Sequence, residues 1–169
     1  AVNVPANFAG VNDSGALAYG GRQPDPANPG SFINNFDLMY AGSGNTVLIR
    51  TTAGGALAPT KALIAADGSP AAGIRDIAVD PDNWAIAVVV DANGRVFRTT
   101  DAGGAWTEIT GNLSGLLEHG AAQVAGTDSI LWTSEIIPNV VVPGQSRALD
   151  HLVVVGGAFG VFYLTSETT

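Results

Sequence analysis

The chain has 169 residues, of which 46% are hydrophobic and 13% are charged, and this balance excludes a disordered tail and a coiled coil. Its formal net charge of −8 argues against binding to a nucleic-acid backbone. The absence of cysteine excludes disulfides, thiolate metal sites and a cysteine nucleophile. No apolar run is long enough to form a membrane-spanning helix.

Short apolar runs separated by Gly, Pro and Asn turns predict β-strands throughout the chain. The first unit is predicted to contain strands at residues 16–20, 37–41 and 47–50, with a Pro-rich turn at 24–28 after the first of them. Pro belongs between strands because it fixes φ and has no N–H to donate to a ladder. The unit ends in the Gly-rich segment Thr51-Thr-Ala-Gly-Gly-Ala-Leu57.

The second unit repeats this order. Its turns are Asp80-Pro-Asp-Asn83 and Asn93-Gly94, and Asn-Gly readily adopts the positive φ values that a two-residue hairpin needs. The middle run is apolar on both faces, which predicts a strand buried between neighbouring layers. The predicted strands of this unit cover residues 74–79, 84–90, 96–99 and 107–113.

The third unit is a weaker copy, with strands predicted at residues 130–136, 151–155 and 160–164. Pro138-Asn139 is predicted to form its first turn, and its extra length predicts an inserted loop over residues 138–150. Arg50 and Arg98 take equivalent places in the first two units. This self-similarity indicates a repeat architecture.

The segment Thr99-Thr-Asp101-Ala-Gly103-Gly-Ala105-Trp106 resembles an Asp-box, or BNR repeat, whose family pattern is Ser/Thr-x-Asp-x-Gly-x-Thr-Trp. One position departs from that pattern, where Ala105 replaces Thr. The resemblance implies a hairpin turn in which Asp101 accepts hydrogen bonds, Gly103 supplies a conformation closed to other residues, and Trp106 packs under an adjacent blade. Thr99, Asp101, Gly103 and Trp106 are therefore assigned a structural role.

The first copy of the motif lacks the Asp and has Leu57 in place of Trp, so its turn is expected to be looser. The resemblance implies an all-β fold, a partial β-propeller of about three four-stranded antiparallel blades, as a single segment over residues 1–169. The blade units are expected at 15–63, 74–113 and 130–169. Residues 1–14 are expected to form the outer strand of a neighbouring or closing blade. The expected partners are further blades of a longer chain or a second copy.

Several side chains are candidates for chemistry. Trp84 and Trp132 are candidate platforms for a carbohydrate or protein ligand. The acidic turn residues are expected to cap turns, and the weaker alternative is that their side-chain oxygens bind Ca²⁺. A catalytic triad can be drawn on paper from Ser134, His151 and Asp150, but no nucleophile motif supports it. His119 and His151 lack zinc-site spacing. The acidic turn residues are Asp80, Asp82, Asn83, Asp91 and Asn93.

Asp-box propellers include sialidases, xyloglucanases and sortilin-like receptors, so the motif marks a fold and leaves the reaction open. The sequence contains no recognisable catalytic constellation and implies no cofactor. The expected function is a non-catalytic scaffold or binding segment of a secreted or cell-surface bacterial protein that binds glycan or protein. The alternative is a fragment of an Asp-box glycoside hydrolase of the sialidase or xyloglucanase type.

Overall fold

A computed structural model describes residues 16–113, 131–140, 149–157 and 160–163 of the chain. These residues form three antiparallel sheets, each built from strands that are consecutive in sequence. The predicted all-β class is confirmed. The segment 1–14, which was expected to be an outer strand, lies outside the described residues.

Sheet 1 is a four-stranded meander. Strand β2 is much longer than the run at 37–41 predicts and contains an irregularity opposite Tyr19 and Gly21 of β1. Asn35 and Asp37, which lie at this irregularity, line the groove described below. The strands are β1 (Leu17–Pro24), β2 (Phe32–Ser43), β3 (Thr46–Arg50) and β4 (Ala58–Pro59).

Sheet 2 has the same order of four strands, β5 (Ile74–Val79), β6 (Ala87–Asp91), β7 (Val96–Thr99) and β8 (Thr107–Glu108). Two predicted strands are too long. Residues 84–86 belong to the turn before β6, because Asp80 and Asn83 hold that segment in hydrogen-bonded turns. The outer strand predicted at 107–113 pairs over only two residues.

Sheet 3 has three described strands, β9 (Leu131–Val140), β10 (Leu149–Gly157) and β11 (Gly160–Tyr163). The turn predicted at Pro138-Asn139 is wrong, because β9 continues through both residues and Pro138 pairs with His151 of β10. Among the described strands β9 lies at the edge of its sheet. A proline is tolerated there because no neighbour requires its missing N–H.

Sheet 2 lies between the other two sheets, and its central strand β6 is buried on both faces. Ala87 and Val89 belong to the core shared with sheet 1, whereas Val88 and Val90 belong to the core shared with sheet 3. The alternation follows from the two-residue period of a strand. The prediction of a strand buried between layers is therefore confirmed for β6.

The linker between sheets 1 and 2, residues 60–73, is held in place by a buried ion pair. The Asp91 carboxylate accepts from Arg95 Nε at 2.9 Å and from the Ala72 backbone N–H at 2.9 Å. Arg95 in turn donates to Ser69 Oγ at 2.7 Å and to the Pro70 carbonyl at 2.8 Å. Asp91 thus joins the β6–β7 turn to the linker.

Candidate functional site

The Asp-box-like segment forms a turn held by two side chains. Thr99, 1% exposed, donates its hydroxyl to Asp101 Oδ1 at 2.8 Å and accepts from the Gly103 N–H at 2.9 Å. Asp101 Oδ1 also accepts from the Ala105 N–H at 2.8 Å. These bonds, led by the one from Ala105, lower the pKa of Asp101 below its ordinary value. The Asp101 carboxylate therefore has a structural use in this turn.

The same turn contacts sheet 1. Gly103 has a φ of 83°, and a Cβ at this position would collide with the side chain of Thr60. The Trp106 indole Nε1 donates to Thr60 Oγ1 at 3.1 Å, and its partly buried ring packs against the core between sheets 1 and 2. Gly103 and Trp106 thus bring the turn against the segment that follows β4.

The equivalent turn of sheet 1 is held differently. Its Gly55 N–H donates to the Thr52 carbonyl at 3.0 Å, and Gly54 has a φ of 67°. In the turn of sheet 2 the corresponding bond runs from the Gly104 N–H to the Asp101 carbonyl, so Thr52 takes the position of Asp101 and offers no carboxylate to organise the backbone. The turn part of the third copy, Thr165–Glu167, lies outside the described residues.

The acidic turn residues are not assembled into a cation site. Asp80 Oδ1 accepts from the Asp82 and Asn83 N–H groups at 2.7 and 2.9 Å, and Asp82 pairs with Arg22. Asp91 lies at the other end of β6, paired with Arg95. Within the parts of the chain that the structure describes, no group of three or more His, Asp or Glu side chains could hold a metal ion.

The strand register separates Ser134 from His151, two members of the catalytic triad considered above. Ser134 pairs with Val155, whereas His151 pairs with Pro138, so four residues of strand separate Ser134 from the position opposite His151. At the rise of a β-strand this spacing corresponds to ~13 Å, too far for a hydrogen bond between nucleophile and base. His119 lies outside the described residues. Sheet 3 thus does not assemble this triad.

A shallow groove of about 360 Å³ opens where sheet 1 meets sheet 2. It contains the candidate platform Trp84, which comes from the β5–β6 connection, beside polar side chains from β1, β2 and the turn after β3. Trp132, the other candidate platform, lies in β9, and its side chain is outside the described part of the structure. The groove is lined by Gln23, Ile33, Asn34, Asn35, Asp37, Thr51, Thr52, Ala53 and Trp84.

Sheet 1 fixes the position of Trp84 from both sides. The Trp84 N–H donates to the Arg22 carbonyl at 2.8 Å, and the Trp84 carbonyl accepts from the Tyr40 hydroxyl at 3.0 Å. Burial, and secondarily the charge of Asp101, raises the pKa of Tyr40, so the hydroxyl keeps the proton that it donates. Gly21 allows the close approach, because a Cβ there would lie 2.7 Å from Trp84 Cβ.

The floor of the groove is also held by local hydrogen bonds. Asn35 Nδ2 donates to the Thr51 carbonyl at 2.9 Å, and Asn35 Oδ1 accepts from the Asp37 N–H at 3.1 Å. Arg50, one of the two repeated arginines, donates to the Asp37 carbonyl at 3.1 Å. Sequence reasoning identified Trp84 but missed the polar residues of β2, because the glycine at the register shift, Gly20 with a φ of 75°, lies in the opposing strand β1.

A second, mainly apolar groove of about 280 Å³ lies between sheets 2 and 3. Its lining includes Val96 and Leu113 from the sheet 2 side and Val153, Val155 and Phe162 from sheet 3. Most of these side chains belong to the core between the two sheets. This groove is therefore an extension of the packing interface.

No family model matches the chain, and no curated protein matches it. In the described residues no helix is long and apolar enough to cross a membrane.

Proposed function

We propose that the chain is a segment of an Asp-box β-propeller that serves as a non-catalytic scaffold or binding module of a secreted or cell-surface protein. The observation that carries the proposal is the central sheet, which is covered on each face by another antiparallel meander. Blades of a propeller bury their faces against neighbouring blades in this manner. The Thr99–Asp101 turn supports the Asp-box assignment, because its side chains organise the turn backbone.

The outward faces of the two flanking sheets support a larger assembly. On sheet 1, Leu17 and Tyr19 are 56% and 62% exposed, and they alternate with Ala16 and Ala18 of the core. On sheet 3, Val161 and Tyr163 are 73% and 55% exposed, on either side of the inward-packed Phe162. We propose that each face is covered by a further sheet of the same repeat, because sheet 2 shows such sheets packing on both of its faces.

The placement of the acidic residues favours a binding role over hydrolysis. Apart from exceptions such as sialidases, which use a Tyr nucleophile, glycoside hydrolases use two carboxyl groups facing one cleft, separated by about 5–9.5 Å. Asp37 is the single carboxylate among the described residues that line the groove beside Trp84. Asp80, Asp91 and Asp101 are used in turns and an ion pair.

An activity screen tests the non-catalytic assignment. The purified chain is incubated with sialosides and with β-glucans, and released sugar is measured by chromatography. We expect no hydrolysis above that of a heat-denatured sample of the same chain. Turnover that follows the folded protein would support the glycoside-hydrolase alternative and contradict the proposal.

A further inference from the structure

We propose that the groove between sheets 1 and 2 binds a neutral, hydroxyl-rich saccharide, with the Trp84 indole as its stacking surface. The inference deepens the proposed binding role and rests on it, since it names the ligand class and the residues. Three properties of the groove support this ligand: a fixed aromatic side chain, polar groups that are free to bind, and the charge of the lining.

The aromatic side chain is held before any ligand arrives. The Trp84 side chain is partly buried and packs against the core between sheets 1 and 2. Its backbone N–H and carbonyl bond to Arg22 and Tyr40 of sheet 1, and the Arg22–Asp82 ion pair holds the same turn. Arg22 also lies over the Phe32 ring at 4.1 Å. A ring that is already ordered loses little conformational entropy when a ligand stacks on it.

Several polar groups around Trp84 have hydrogen-bonding capacity to spare. No hydrogen bond joins the side chains of Gln23, Asn34 or Asp37 to the other described residues. The Asn35 side chain, in contrast, already bonds to the Thr51 carbonyl and the Asp37 N–H. Amides both donate and accept, and an ionised carboxylate accepts. Sugar hydroxyls also do both, so this set matches a polyol better than an apolar ligand.

The charge of the groove selects between neutral and anionic sugars. Its described lining includes Asp37 and no lysine or arginine, and the whole chain has a net charge of −8. A sialylated or uronic-acid sugar would bring a second negative charge beside Asp37 without a cation in the lining to offset it. The volume of about 360 Å³ lies at the small end of ligand sites and suits one or two sugar rings.

The test begins with the full chain on an array of neutral gluco-, galacto- and manno-oligosaccharides, printed beside sialylated and uronic-acid glycans. The strongest neutral ligand is then titrated by calorimetry into the original protein and into Trp84→Phe, Asn34→Ala and Asn45→Ala. Trp84→Phe keeps an aromatic ring in the core, and Asn34 is exposed. Asn45 is a matched control, because it is an exposed Asn at the opposite end of sheet 1. Thermal melts verify that each variant is folded.

We expect binding to a neutral oligosaccharide that weakens about 10-fold in Trp84→Phe and in Asn34→Ala and is unchanged in Asn45→Ala. Folded protein that binds no neutral glycan, that prefers the acidic glycans, or that retains full affinity in both groove variants would overturn the inference. These outcomes leave the proposed propeller scaffold intact, because that proposal is tested separately by hydrolysis and by association of the chain.

Discussion

Trp106 joins two sheets through a single side chain. Its ring packs on the core between sheets 1 and 2, and its Nε1 donates to Thr60. Deleting a fully buried Trp costs about 3–5 kcal/mol. Since Trp106 is partly exposed, we expect Trp106→Ala to lower the free energy of unfolding by about 2 kcal/mol.

Denaturant unfolding of Trp106→Ala and Trp106→Phe measures this contribution. The Phe variant keeps most of the packing and loses the hydrogen bond to Thr60, so its loss should be smaller, about 1 kcal/mol. Neither variant should change a ligand preference of the folded protein. An unchanged midpoint for Trp106→Ala would show that the motif does not join the two sheets.

Asp101 makes the stability of the turn depend on pH. Its pKa is lowered in the folded state by the Ala105 N–H and then by the Thr99 hydroxyl. A carboxyl with a lowered folded pKa stabilises the protein above its unfolded pKa of about 4, and this stabilisation is lost as the pH falls through the folded value. Asp25 and Asp67 show the same direction of shift.

The variant Asp101→Asn separates Asp101 from the other carboxylates. We expect it to melt below the original protein at pH 7, and the difference to shrink as both are acidified below the folded pKa of Asp101. Melting curves at pH 7, 5, 4 and 3 give the comparison. A difference that stays constant over this range would contradict an ionised Asp101 as the acceptor in the turn.

At the scale of the strand, sheets 1 and 2 approach closely at Gly21. A Cβ there would lie 2.7 Å from Trp84 Cβ and 2.8 Å from Leu38 Cδ2. Overpacking of this kind typically costs about 1–3 kcal/mol, and we expect Gly21→Ala to lose stability in that range. Gly73→Ala is the matched control, because the nearest atom to its added Cβ outside the adjoining residues, the Gly44 carbonyl oxygen, is 4.0 Å away. Equal unfolding midpoints for the two variants would contradict the close contact.

The strands show how far the sequence determines this fold. The short apolar runs and the turn residues between them predict the positions of most strands. For β5 (Ile74–Val79) the predicted and observed bounds agree. Strand ends were less predictable because they depend on pairing. Pro138 is part of β9 because that strand lies at the edge of its sheet. Residues 84–86 lie outside β6 because Asp80 and Asn83 hold them in turns.

The groove was less accessible to sequence reasoning than the strands. The sequence shows Trp84 as an isolated aromatic residue, but its neighbours in the groove come from β1, β2 and the turn after β3. Only the packing of sheet 2 on sheet 1 brings them together. The polar residues Gln23 and Asn34 have no spacing relative to Trp84 that a local pattern would detect.

At the scale of the whole molecule, we expect the two outward faces to drive association. We expect the face of sheet 1 in one copy to contact the face of sheet 3 in another, a head-to-tail contact that can continue into rings or chains. Exposed apolar patches of adjoining side chains favour such contacts in water. A charge placed on either face should weaken the same interface.

Sedimentation velocity of the 169-residue chain over a range of concentrations tests whether the outward faces bind further sheets of the repeat. We predict species heavier than the 17.1 kDa monomer that grow with concentration. They should be reduced by Tyr19→Lys and by Val161→Lys, and unaffected by the exposed-loop control Asn45→Lys. A stable, monodisperse species near 17.1 kDa at every concentration, identical in all three variants, would contradict the claim that these faces bind further sheets of the repeat.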